Sequence, residues 1–187
     1  MPKKNYAPEG EYIYNEQQKL RQWYVWFILV LSLVLSLAFL INSFVNYMEG
    51  APGAASFIVL GVLILFICLF FVISTAGSKL NVIATDEAIH FQWIPLNNKF
   101  NKVNWQNVQS IKMISYKSMG YGMRISEKYG SIYNAFGGYA IDIVTRGGNH
   151  FLIGTAKPQE LEEVLVRLKD IHYFDYENQL DKKVEND

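Results

Sequence analysis

The sequence contains a single cysteine, Cys68, and it lies inside a long apolar run. No intramolecular disulfide can form, and a thiol surrounded by aliphatic side chains is a poor source of thiolate. Its expected role is packing. An excess of charge of either sign is also missing: 17 Lys and Arg stand against 17 Asp and Glu. No global field favours nucleic acid. The histidines His90, His150 and His172 lie far apart, and no cluster of Cys, His and carboxylates has ligand spacing. Neither a metal nor a cofactor is expected. The most consequential absence is local. No Asp, Glu, Lys, Arg or His occurs from Gln22 to Met48 or from Ala51 to Ser78, apart from Glu49 in the turn between them. Ion paths and proton relays usually need such groups, so these two stretches read as an anchor and not as a transport path.

What those stretches do contain is apolar sequence. The cores run from Trp23 to Ile41 and from Phe57 to Ile73. A helix crosses a bilayer with about 20 apolar residues, and a buried helix of a soluble core keeps a polar stripe, which neither run has. A cleaved signal peptide fits poorly, because the first run is too long and Glu9, Glu11 and Glu16 precede it. A two-helix transmembrane hairpin over 22–78 is predicted. Ser32, Ser36 and Gly61 are small enough to let the two backbones approach, and they are the predicted helix contact. Lys3, Lys4, Lys19 and Arg21 precede the first span, Lys79 follows the second, and the turn between carries no Lys or Arg. The positive-inside rule then places both termini in the cytoplasm, with an inner-membrane, multi-pass topology. Residues 1–21 are read as a cytoplasmic N-terminal segment.

From Leu80 the period changes to two. Leu80, Val82 and Ala84 form one alternating set, and Ile89, Phe91 and Trp93 another; this is the mark of half-buried strands. Phe100–Val103, Ile111–Tyr116, Gly122–Ser126, Tyr139–Thr145 and Phe151–Thr155 continue the series, with Arg146-Gly147-Gly148-Asn149 as a hairpin turn. The segment Gly130–Tyr139 reads either as a binding loop or as a plain connection. Pro158 opens a helix whose Leu161, Val164, Leu165, Leu168 and Ile171 share one face. Residues 79–176 are expected to fold on their own core, and 177–187 to be a polar tail.

Strands followed by one covering helix suggest an α+β fold. Gly120-Tyr121-Gly122-Met123-Arg124, then Gly137-Gly138-Tyr139-Ala140-Ile141, then Ile153-Gly154-Thr155 before Pro158-Gln159-Glu160-Leu161 carry a closer likeness. In this order they resemble the bacterial PH-like (pleckstrin-homology-like) domains of small membrane proteins. The resemblance covers Leu80 to Ile171. It implies an antiparallel β-barrel or sandwich of about seven strands capped by a C-terminal helix, tethered to a membrane, with a ligand that the family does not define.

The candidate binding residues cluster in one region. Gly120 and Gly122 flank a bend, and no strand–turn–helix context supports a dinucleotide loop. Arg124 could hold an anionic headgroup or a partner's carboxylate, or pair internally with Glu127 or Asp142. Lys112, Lys117 and Lys128 lie around the same hairpin, where they would either attract anionic lipid or form an ordinary solvated face. Ser, His and Asp occur in no catalytic context, so no enzyme is expected. The leading expectation is a non-enzymatic, membrane-anchored module that contacts membrane lipids and binds a protein or peptide. The alternatives are an accessory subunit of a transporter or channel and a membrane-surface enzyme. A homo-oligomer is left open.

Overall fold

The structure is a computed structural model. It describes residues 8, 10–97, 99–116 and 121–180. The chain divides into two compact units: a helical one, Arg21–Gly77, and a sheet unit holding the described residues up to Leu20 and from Ser78 onward.

The helical unit consists of α1 (Trp23–Met48) and α2 (Ala54–Gly77). Both are long and apolar enough to cross a membrane. They pack on each other through small residues. Ser36 and Ser43 are buried on α1, and Ala54 and Gly61 on α2. A Cβ on Gly61 would lie 3.0 Å from Cδ1 of Leu40 and 3.4 Å from its Cα, so the close approach depends on the missing side chain. Ser32 is half-buried, and its carbonyl faces the Cys68 thiol at 3.9 Å. Of the three expected contact positions, Ser36 and Gly61 are buried and Ser32 is half-buried. The serine hydroxyls donate to carbonyls of their own helix, Ser36 to Leu33 and Ser43 to Phe39, each at 2.8 Å. This satisfies them without water.

The sheet unit begins with a strand that the hydrophobic pattern did not reveal. β1 (Tyr14–Lys19) pairs antiparallel with β2 (Lys79–Ala84), from Tyr14 opposite Ala84 to Lys19 opposite Lys79. The helical hairpin is thus inserted between two neighbouring strands, and Tyr14–Lys19, within the segment expected to precede the spans, is part of the sheet unit. β3 (Ala88–Ile94) and β4 (Asn101–Asn104) complete a four-stranded antiparallel sheet. A 3-10 turn at Trp105–Asn107 leads to the second sheet. That sheet comprises β5 (Val108–Ser115), β6 (Gly122–Ser126), β7 (Gly130–Asn134), β8 (Tyr139–Thr145), β9 (His150–Thr155) and β10 (Asp175–Gln179), in the order β10-β5-β8-β9-β7-β6. Helix α3 (Pro158–His172) precedes β10.

Two expectations change. The domain is mixed α+β with two open sheets, and no closed barrel occurs among the described residues. The polar residues after Tyr176 are not all tail: β10 runs to Gln179 and pairs in parallel with β5. The first half of Gly130–Tyr139 is β7, so neither the loop nor the connection reading describes it fully.

One core fills the space between the sheets. Leu80, Phe91, Trp105, Met113, Ile141 and Ile153 are fully or nearly fully buried there. Helix α3 adds Leu161, Leu165 and Leu168. Ile171, expected on that face, is 57% exposed, because it lies in the last turn. The helix ends at Tyr173 in a left-handed conformation, φ 57°, with its N–H on the Lys169 carbonyl at 2.8 Å.

β1 is fixed by polar and not by aliphatic side chains. Tyr14, Glu16 and Gln18 alternate inward and are all buried. The Glu16 carboxylate accepts from the Tyr14 hydroxyl at 2.5 Å, the Thr155 hydroxyl at 2.9 Å and the Ala156 N–H at 2.8 Å. Burial, and then the hydrogen bond to Glu16, hold the Tyr14 phenol above its ordinary range, so it remains a donor. Gln18 donates to the Gly154 carbonyl at 2.7 Å and accepts from the Phe136 N–H at 3.2 Å. Apart from the Tyr14–Glu16 bond within β1, every link runs from the four-stranded sheet to the end of β9, the residue after it or the loop before β8.

These contacts predict that a chain starting at Lys79 shows no cooperative melt. A chain in which Asn-Gly joins Leu20 directly to Ser78 should melt cooperatively with a β-rich circular dichroism spectrum, because a two-residue turn of that kind closes antiparallel strands. In that chain Glu16→Ala should cost about 3 kcal/mol, since it strips buried donors of their acceptor. A second prediction concerns His90, buried on β3. Burial, and then the nearby Lys102, lower its pKa. The folded domain therefore binds fewer protons than the unfolded chain below about pH 6.5. Stability should fall as the pH drops through that value, and His90→Gln should flatten the slope of melting temperature against pH between 7.5 and 5.5.

Candidate functional site

The six-stranded sheet has a second face, turned away from the common core. Ile114 on β5, Ala140 on β8, Leu152 on β9 and Ile132 on β7 are buried together there, with Tyr116 and Tyr129 packed at the margin. Alternation explains the set. On β5, Ile111 and Met113 point to the main core, so Lys112, Ile114 and Tyr116 point the other way. Opposite them the register places Asp142 against Lys112 and Ala140 against Ile114.

Aromatic and charged groups border this small apolar floor. The Tyr116 and Tyr129 rings meet edge to face at 5.8 Å, and Tyr129 meets the His150 imidazole at 6.2 Å. Arg124 donates to the Tyr116 hydroxyl at 2.5 Å, with its guanidinium carbon 5.9 Å from the ring centre. The Lys128 ammonium lies 5.4 Å from the centre of Tyr129. Such cation–aromatic contacts contribute about 0.5–1 kcal/mol each where water has access. His150 and Asp142 are hydrogen-bonded through Nε2 and Oδ1.

The sequence reading is thus partly assembled. Arg124 lies against Tyr116 and Lys128 over Tyr129, while Lys112 is placed on the same sheet by its register with Asp142. Lys117 and Gly120 lie outside the described residues. Gly122 has φ +115° and no atom within 4 Å of where a Cβ would stand. Its need for glycine is therefore set by the backbone conformation. Arg124 contacts Tyr116, while Asp142 is engaged by His150.

That last pair was missed. In sequence the three histidines lie far apart without ligand spacing, and Asp142 is weighed only as an internal partner of Arg124. The signal was available in the hairpin. A turn at 146–149 sets Val144 opposite His150 and Asp142 opposite Leu152, which makes Asp142 and His150 diagonal neighbours on one face. Tyr116 and Tyr129 carried no comparable sequence signal, because their meeting depends on the order β5-β8-β9-β7. No group of three or more potential metal ligands occurs among the described residues.

Beside the edge of this sheet lies an open cleft of about 440 Å³, bordered by Ile125, Glu127, Ser131, Asn149, His150 and Phe151. A second cleft of about 350 Å³ lies between β4 and the β8–β9 turn. Compared with known proteins, the chain matches no family model and no curated protein.

Tyr116→Phe should loosen Arg124 without unfolding the domain. The lost hydrogen bond should lower stability by about 1 kcal/mol, and Arg124→Ala in the same background should add less than it does alone. Thermal melts of the two single variants and the double variant test this.

Proposed function

We propose that this chain is a non-enzymatic, membrane-anchored interaction module with both termini in the cytoplasm. Its sheet domain, PH-like in the sense of an open form of that fold, would hold a binding face at the inner surface of the membrane. The observation that carries this reading is the insertion of the apolar hairpin between β1 and β2. Leu20, Arg21 and Gln22 lead into α1, and Ser78 alone separates α2 from β2. Two such short connections tether the domain at both strands. Lys19, Arg21 and Lys79 stand at these connections, where basic residues favour the cytoplasmic side.

The outer sheet face supplies the recognition chemistry. Tyr116 and Tyr129 offer rigid amphipathic area, Arg124 a fork for carboxylate or phosphate, and Lys112 and Lys128 further positive charge. Membrane lipids surround the hairpin, and the partner is a protein or peptide. The resemblance to PH-like domains is supported by the antiparallel run β2-β3-β4 and by the closing helix α3. The accessory-subunit reading drew on the small residues of the spans. Ser36, Ser43, Ala54 and Gly61 are buried within the hairpin, which weakens that support.

Topology and recognition are tested separately. In a Cys68→Ala background, an impermeant thiol reagent should label a cysteine at Gly53 on intact cells and spare one at Asn15. The reverse pattern would exclude the orientation. A photoreactive residue at Lys128 should give a discrete crosslinked product in intact membranes, and Arg124→Ala should reduce the yield per folded molecule several-fold, beyond the small fall in melting temperature expected from losing the Tyr116 hydrogen bond. If the melting temperature falls while yield per folded molecule is constant, Arg124 belongs to the scaffold.

A further inference from the structure

The cleft between β4 and the β8–β9 turn is separate from the outer sheet face and has a distinct charge pattern. Its polar lining is Lys102, Asn104, Asn107, Thr145, Arg146 and Asn149. Val103 and Phe151 supply the apolar part, and none of the described residues lining it is acidic. In a chain with equal numbers of acidic and basic residues, a cleft with two cations, three amides and no carboxylate is a local positive field.

The guanidinium is held in place but not neutralised. Arg146 Nε donates to the Val108 carbonyl at 3.3 Å and Nη2 to the Tyr173 carbonyl at 3.4 Å. The Arg146 N–H bonds to the Asn107 carbonyl at 2.8 Å, which fixes the start of the turn. Carbonyls orient the fork without cancelling its charge, and donors remain for a ligand. Lys102 faces Glu87 at 3.8 Å, with both side chains largely exposed; a contact of this kind is weak. The ammonium is therefore available to a stronger anion.

We infer that this cleft binds a small phosphate ester drawn from the aqueous phase. A fork, an ammonium and several amide N–H groups suit the oxygens of a phosphate. The volume of about 350 Å³ lies at the small end for ligand sites, and Phe151 offers a wall for a compact organic group. Within the sheet unit, the strand register separates the cleft from the strand ends that join the helices. Lys19 and Lys79, where the chain passes to the helices, mark one end of the four-stranded sheet. Lys102 is level with His90 and Ile83, and Asn104 with Ala88. The cleft therefore lies about 14 Å or more along the strands from that end. The anion chemistry is independent of the membrane reading; only the aqueous source rests on it.

The test uses the full chain in phosphatidylcholine nanodiscs, titrated calorimetrically with phenyl phosphate, inorganic phosphate and phenol at constant ionic strength. Phenyl phosphate should bind saturably and more tightly than inorganic phosphate, and phenol should not bind. Lys102→Gln should weaken phenyl phosphate several-fold. Arg146→Lys, which keeps the charge but loses the fork, should weaken it ~10-fold. All variants should keep the wild-type melting temperature within a few degrees. Should Arg146→Lys melt early, Lys102→Gln alone decides, because its side chain is exposed. No saturable binding, or equal binding in wild type and Lys102→Gln, overturns the site. If nanodiscs of phosphatidylglycerol abolish phenyl phosphate binding, the cleft faces lipid and the aqueous source is wrong, while the oxyanion chemistry stands.

Discussion

The sheet unit depends on a buried carboxylate. Glu16 lies on a strand that precedes the helical hairpin in sequence, yet it accepts from Tyr14, Thr155 and the Ala156 N–H. A buried carboxylate is costly unless its oxygens are occupied by donors. Here two donors come from the end of β9 and its following loop, so the charge can be buried only when β1 is seated. The same arrangement orders the start of α3: the Thr155 hydroxyl also accepts from the Lys157 N–H at 3.0 Å, just before Pro158. One side chain thus links the first strand, the end of β9 and the closing helix. Removing it would free all three, which is why its cost should exceed that of an average surface contact.

The polar character of that link also explains what could be read in advance. Strands β2, β3, β5, β8 and β9 announced themselves through Val, Ile, Phe and Leu at alternate positions, because their inward side chains meet the aliphatic core. The helix α3 did so through Leu161, Leu165 and Leu168. β1 buries Tyr, Glu and Gln instead, and β10 is built from Asp, Tyr, Glu, Asn and Gln. A period-two search for aliphatics cannot find either. Their places are set by long-range pairing, with β2 in one case and β5 in the other. The end of α3 was similarly hidden, since Tyr173 occupies the left-handed position where glycine would have signalled it.

The candidate site was legible in outline only. Arg124, Lys112 and Lys128 stood out as charges near one hairpin, and Arg124 and Lys128 border one face. The residues that give this face its character did not stand out. Tyr116 and Tyr129 come together because β5 and β7 lie on either side of β8 and β9, an order that follows from two parallel pairings, β7 with β9 and β10 with β5. Parallel neighbours require distant segments, so no local pattern encodes them. The Asp142–His150 pair is the opposite case. It spans a single hairpin, and the register alone places it.

Inserting an apolar hairpin between paired strands has a mechanical consequence. Lys19 and Lys79 lie opposite each other, so the chain leaves and re-enters the sheet side by side. A displacement of either helix end acts first on the β1–β2 pairing. The outer edge of β1 has no strand partner among the described residues, so its seat depends on β2 along one edge and on the Glu16 and Gln18 contacts beneath. Gln18 bonds to Gly154 and Phe136, and Gly154 sits where a Cβ would stand 2.5 Å from Oδ1 of Asn134. The route from the helices into the six-stranded sheet therefore passes through closely packed polar contacts that cannot shift independently.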